Sequence, residues 1–221
     1  MKSRLEQAYE LLLDRFGPQR WWPGDTPFEV IVGAMLTQNT NWTNVERAIE
    51  NLREAGVLDP LAMHRLSVAE LEELIRPAGY FRVKARRLRH LLDWLVERHG
   101  GSLDAMFAMP LAELREELLA VHGVGPETAD SILLYAGKMP TFVIDAYTHR
   151  VAKRHGWIEE DADYYALKEL FEGGVEADEA VYNEYHALLV RVGKLYCRKS
   201  VAKCDECPLA KLLPEGGPRD P

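Results

Sequence analysis

The residues best placed to do chemistry begin with His122-Gly123-Val124-Gly125-Pro126. Apolar spacing at Leu111, Leu114, Leu118 and Leu119 predicts a helix from about Leu111 to Val121, and Pro126 suits the first position of a second helix. Two glycines around one small apolar residue let the backbone turn sharply and expose its N–H groups beside a helix N-terminus, an anion site fitted to a phosphate. A bare turn between antiparallel helices needs only one glycine. The pair therefore indicates a helix-hairpin-helix over residues 111–136, gripping a DNA phosphate through Gly123, Val124 and Gly125. Twenty residues after Gly125 stands Asp145. One ionised carboxylate can stabilise a cation that develops as a bond breaks, or activate an incoming water. Asp145 also fits the N-cap of a helix over Ala146 to His155, and the two roles are compatible. All three cysteines fall in Cys197-x6-Cys204-x2-Cys207, a ligand spacing rather than a disulfide framework.

With Asp145 in Val143-Ile144-Asp145-Ala146-Tyr147-Thr148-His149-Arg150-Val151, the chain resembles the helix-hairpin-helix DNA glycosylase superfamily, the relatives of endonuclease III. The resemblance also takes in Leu36-Thr37-Gln38-Asn39-Thr40, Ala78-Gly79-Tyr80-Phe81-Arg82-Val83-Lys84-Ala85 and the cysteine run, so it covers nearly the whole chain. It implies an all-α fold of two helical lobes, with an extruded nucleotide in the cleft between them. The lobes would be a six-helix barrel over residues 20–135, and a terminal lobe of residues 1–19 and 136–221 with a cysteine-rich loop at 197–213. By the same resemblance, Asp145 is the catalytic carboxylate, Gln38 fills the hole left by the flipped nucleotide, and Tyr80 is the wedge entering the opposite strand. Extruding a base costs a few kcal/mol, which gives a plug and a wedge their task. Arg82 and Lys84, just after the wedge, are expected on phosphates.

The departures from the family pattern are equally informative. Bifunctional members carry a lysine in G-V-G-x-K-T-A that forms a Schiff base with the sugar; here the segment reads Gly125-Pro126-Glu127-Thr128-Ala129. Glu127 cannot form an imine, so a monofunctional glycosylase is expected. Trp21-Trp22-Pro23, with Trp42 shortly after Gln38-Asn39-Thr40, resembles the endonuclease III-like 3-methyladenine DNA glycosylases. An alkylated purine is cationic and electron-poor, so it stacks well on indole. Trp21, Trp22, Trp42 and Tyr147 are the candidate pocket walls, with Lys194 as the lysine that group carries in its pocket. The cysteine spacing resembles an iron-sulfur loop, implying a [4Fe-4S] cluster on Cys197, Cys204 and Cys207; the fourth thiolate position is Leu213. An empty loop and zinc completed by a histidine are the alternatives.

The remaining features must position these groups. With 221 residues, 47% hydrophobic and 28% charged, the chain is that of a globular protein with a sizeable core, not a disordered or fibrous one. Helical periodicity recurs in Leu5-Tyr9-Leu12-Leu13, Val45-Ile49-Leu52, Leu88-Leu91-Leu92-Leu95 and Tyr182-Tyr185-Leu188-Leu189, with breakers such as Gly79, Gly100-Gly101 and Gly173-Gly174 between segments. No alternating run exceeds Thr141 to Ile144, so negligible sheet is expected, and the Pro/Gly-rich tail from Pro214 reads as frayed. The net charge of -8 argues against nucleic acid only on average. Arg82 to Arg89 and Arg191 to Lys203 each hold five bases and no acid, whereas Glu159 to Glu184 holds ten acids and one lysine. The longest apolar run, Val30 to Leu36, is too short for a membrane span, and the amphipathic start is not a secretory signal. A cytoplasmic monomer acting on damaged double-stranded DNA, with no membrane partner, is the expectation. A glycosylase for oxidised or mismatched pyrimidines, a non-catalytic hairpin protein that binds DNA, and a metal-bearing interaction module are the rival readings.

Overall fold

The computed structural model describes residues 2–219. Among them the chain forms α1 (Arg4–Phe16), α2 (Pro27–Leu36), α3 (Trp42–Glu54), α4 (Pro60–His64), α5 (Val68–Leu74), α6 (Phe81–His99), α7 (Leu103–Phe107), α8 (Leu111–Ala120), α9 (Pro126–Ser131), α10 (Ala146–Arg154), α11 (Tyr164–Gly174) and α12 (Glu179–Leu195). The all-α architecture expected from the sequence is present: the described residues hold one isolated bridge, Cys197 with Ala202, and no strand. No helix among them is long and apolar enough to cross a membrane.

The chain folds as two compact units. One is continuous, Pro23–Met139; the other is split, joining Met1–Trp22 to Pro140–Pro221. The continuous unit is built around α2 and α6. Thr26 caps α2, accepting from the Glu29 N–H, with Pro27 at the first position, and every residue from Phe28 to Leu36 is buried. Burying Val30, Ile31, Val32, Met35 and Leu36 stabilises the unit by roughly 1.5–3 kcal/mol per side chain. Glu29 is buried among them because Arg53 on α3 meets it at 3.0 Å. The long α6 buries Leu88, Leu91, Leu92 and Leu95, and α4 and α5 pack on it. The hairpin of α8 and α9 lies against this core, with α9 running on into a π-helical turn, Ile132–Ala136.

In the split unit α12 packs on α1 and α10. Its Tyr182 and Tyr185 are fully buried in an aromatic cluster with Phe142 and Phe171, whose rings stack at 4.7 Å. Ser3 opens α1 with a capping box closed by Glu6. Gly173 and Gly174, expected as breakers, form the end of α11, where a Cβ on Gly174 would stand 2.4 Å from Leu5. The expected fraying from Pro214 is corrected as far as Arg219: its N–H binds the Arg154 carbonyl at 2.9 Å, and its guanidinium lies over Gly156. Asp220 and Pro221 lie outside the described residues.

Candidate active site and nucleic-acid interface

The hairpin turn depends on its first glycine. Gly123 sits at φ +99°, and a Cβ there would lie 2.3 Å from Cγ of Arg87. Gly125 is extended, caps α9, and has open space where its Cβ would be. Val124 is buried, and its N–H closes the turn on the Val121 carbonyl at 3.0 Å. The turn thus delivers backbone to the start of α9, where the first N–H groups have no intrahelical acceptor. Glu127 is exposed on the first turn of that helix.

Gln38 sits in a turn against this hairpin, next to Asn39 at φ +54°, and Tyr80 opens α6 from a second turn at positive φ. Gln38 Nε2 donates to the Gly123 carbonyl and to Thr128 Oγ1, both at 3.1 Å, while Arg87 of α6 donates to Gln38 Oε1. Tyr80 occupies the left-handed region at φ +47° directly after Gly79 at φ +68°, and it is 72% exposed. Arg82 and Arg86 are exposed on the following turns of α6, but Arg89 is turned inward to the carbonyls of His64 and Leu66. Lys84 requires a correction. Expected on a phosphate, it is buried, with Nζ donating to the carbonyls of Leu36 and Ala78 at 2.8 Å each. Burial and the nearby Arg87 lower its pKa to about 8.

Asp145 caps α10 as its local sequence suggests, with Oδ1 accepting the Thr148 N–H at 2.7 Å. The structure adds a residue the sequence did not single out. His186 of α12 places Nε2 at 3.6 Å from Asp145 Oδ2, and the two side chains are only 5% and 13% exposed. In Tyr185-His186-Ala187-Leu188 this histidine reads as core filling; its interruption of an otherwise apolar stripe was the one available signal. Burial drives its imidazole below the ordinary value, against the pull of Asp145. His155, also buried, is lowered by the same cause. In the unfolded chain both titrate near 6.5, whereas the folded chain keeps them neutral to lower pH. The unfolded state therefore binds more protons in that window, so their contribution is complete above about 6.5 and is lost as pH falls towards the folded values. Urea midpoints should decline across this range with proton uptake on unfolding; a flat profile with no uptake would show that the folded chain does not hold these rings neutral.

The proposed pocket residues divide between the units. In the split unit Trp21 meets Trp22 edge to face at 5.7 Å, and Lys194 Nζ stands 5.9 Å from the Trp21 ring centre. Tyr147 lies flush on α12 because Gly193 leaves room for it: a Cβ there would come within 2.5 Å of the ring. Arg150 covers the Tyr147 ring at 5.0 Å. In the continuous unit Trp42 donates its indole N–H to Glu46 at 2.7 Å, and both line a cavity of about 360 Å³ with Pro23, Asp25, Glu29 and Arg53.

The cysteine loop does not fit a four-thiolate cluster. It supplies three thiols, Leu213 stands at the fourth position, and no group of three or more His, Cys, Asp or Glu side chains among the described residues is arranged to hold a metal. The loop is instead tied to α10: Arg150 Nε donates to the Cys197 carbonyl at 2.6 Å, and buried Arg154 donates to Cys197 Sγ at 3.3 Å and to the Arg198 carbonyl at 2.7 Å.

Residues 32–177, which include both the hairpin and Asp145, match the model of the HhH-GPD superfamily base excision DNA repair proteins. The chain belongs to that superfamily, as a DNA glycosylase of base excision repair. A putative DNA repair glycosylase of Methanocaldococcus jannaschii is 48% identical over 207 residues, covering 93% of this chain and 94% of the relative. The endonuclease III of Thermotoga maritima is 29% identical, over 82% and 79% of the two chains. Among solved structures, the 3-methyladenine DNA glycosylase of H. pylori bound to 1,N6-ethenoadenine is similar at a TM-score of 0.75 and 29% identity, covering 87% of this chain and 97% of that one.

Proposed function

We propose that this glycosylase is monofunctional and hydrolyses the N-glycosidic bond of alkylated purines such as 3-methyladenine in duplex DNA. The observation that carries this reading is the setting of Asp145: one oxygen is taken by the Thr148 N–H, the other faces a buried imidazole, and no lysine stands at the position of Glu127. A carboxylate so fixed stabilises a sugar cation without forming a bond to it. A cationic purine such as 3-methyladenine leaves as the neutral base, taking the bonding electrons, and water adds to the sugar cation, releasing one proton to solvent. Because that purine is already cationic, little general-acid help is needed. Each unit offers aromatic candidates for an electron-poor ring: Trp21 and Trp22, with Tyr147 and Lys194, in the split unit, and Trp42, whose neighbouring Glu46 carboxylate suits a positive charge, in the continuous one. The similar H. pylori enzyme, named for 3-methyladenine and solved with an ethenoadenine, supports a purine substrate. No step runs through an iron-sulfur cluster.

Base release from methylated duplex DNA tests the reading. Free 3-methyladenine should appear with wild type, with strands nicked only after hot alkali. Borohydride should trap no covalent enzyme-DNA adduct; a trapped adduct would show that another lysine acts as a lyase nucleophile. Release of oxidised pyrimidines alone would transfer the assignment to endonuclease III-like chemistry.

A further inference from the structure

Lys84 is a buried cation that the proposed chemistry does not use, and its bonds join the two turns on which a flipped nucleotide would depend. Nζ donates to Leu36, the last residue of α2 and two residues before Gln38, and to Ala78, two residues before Tyr80. Its own N–H binds the Tyr80 carbonyl at 3.0 Å, so one residue braces the Tyr80 turn from both sides. That turn holds two successive residues at positive φ, Gly79 and Tyr80, and such backbone persists only where its surroundings over-determine it. One turn further along α6, Arg87 grips the Gln38 amide and packs over Gly123. A single face of α6 thus connects the hairpin, the Gln38 turn and the Tyr80 turn.

We propose that the Lys84 ammonium is a positioning group that fixes the Gln38 and Tyr80 turns at one spacing, so that both side chains enter a duplex together when a nucleotide is extruded. A salt link to phosphate would change its partner with the DNA; this bond pair is internal and sets geometry before DNA arrives. The inference rests on the reading that Gln38 and Tyr80 fill the duplex.

The test compares wild type, K84M, Q38A/Y80A and the triple variant on a methylated duplex and on the same lesion in a single strand, where no opposite strand needs a wedge. Methionine keeps the volume and removes both hydrogen bonds. K84M should lower the ratio of duplex to single-strand base release by about 10- to 100-fold, the scale that follows a displacement of about 1 Å in positioning groups. In the Q38A/Y80A background it should add no further loss, because the groups it positions are gone. An equal loss on both substrates, an unchanged ratio, or a full additional loss in the triple variant overturns the proposal. Q38A/Y80A acting on duplex like wild type overturns the underlying reading as well, and is recognised without K84M. If K84M does not fold by circular dichroism, K84Q, which keeps an amide donor but shortens the reach, is put through the same comparison.

Discussion

Asp145→Asn should all but abolish base release, lowering the single-turnover rate by about 10²- to 10³-fold while the protein melts as wild type does. The two halves of this expectation come from one geometry. Asparagine caps a helix about as well as aspartate, and its Oδ1 can still accept the Thr148 N–H that Asp145 takes at 2.7 Å. Burial holds the His186 imidazole below its ordinary value despite the pull of Asp145, which disfavours a charged pair that the substitution could break. Stability should therefore change by no more than about 0.5 kcal/mol. What is lost is the negative charge that, in the proposed mechanism, stabilises the sugar cation as the bond breaks; removing one preorganised stabilising group of this kind costs about 10²- to 10³-fold. Asp145→Ala should add a capping loss of about 1 kcal/mol to the same catalytic defect. Chromatography of released bases, beside thermal melts of each variant, decides the matter. Undiminished release by Asp145→Asn would remove Asp145 from the mechanism and leave it a cap.

The residues that were legible in the sequence are those whose neighbours in the chain determine their setting. Leu88, Leu91, Leu92 and Leu95 announce the buried stripe of α6, and Asp145 announces its own cap, because both signals are local. By contrast α2 shows no stripe, since Phe28 to Leu36 is buried on every side and its periodicity is erased. Lys84 fails differently. Inside a run of five bases its charge suggests a solvated or phosphate-facing side chain, and only the meeting of the α2 end with the Ala78 turn reveals two carbonyls waiting for a donor. His186 and Gly193 belong to the same category: each is defined by a partner more than 40 residues away in sequence, Asp145 for one and Tyr147 for the other. Residue spacing along one helix carries no information about such pairs. Composition was also silent on the cysteine loop, where Arg150 and Arg154 supply ties that its thiol spacing alone would assign to a metal.

Gly123→Ala and Gly125→Ala, two residues apart in one motif, should behave in opposite ways. At Gly123 the backbone stands at φ +99°, which an L side chain rarely adopts, and the new Cβ would lie 2.3 Å from Cγ and 2.8 Å from Cβ of Arg87. Relief requires Arg87 to move, and Arg87 holds the Gln38 amide. The strain and the overpacking together should cost about 2–4 kcal/mol, and both the melting temperature and the affinity for an abasic duplex should fall. At Gly125 the backbone is extended and nothing lies within 4 Å of the added methyl, so the only stability cost is that of alanine at the N-cap, no more than about 1 kcal/mol. Yet open space beside the first turn of α9 is where a phosphate would approach the backbone, and a methyl there should weaken duplex binding by about tenfold, or about 1.4 kcal/mol, without unfolding anything. Melting curves and binding isotherms at fixed salt on both variants separate the two effects. Wild-type affinity in Gly125→Ala would mean that no phosphate approaches that residue, whatever Gly123→Ala does, because only Gly125 can lose binding without losing structure.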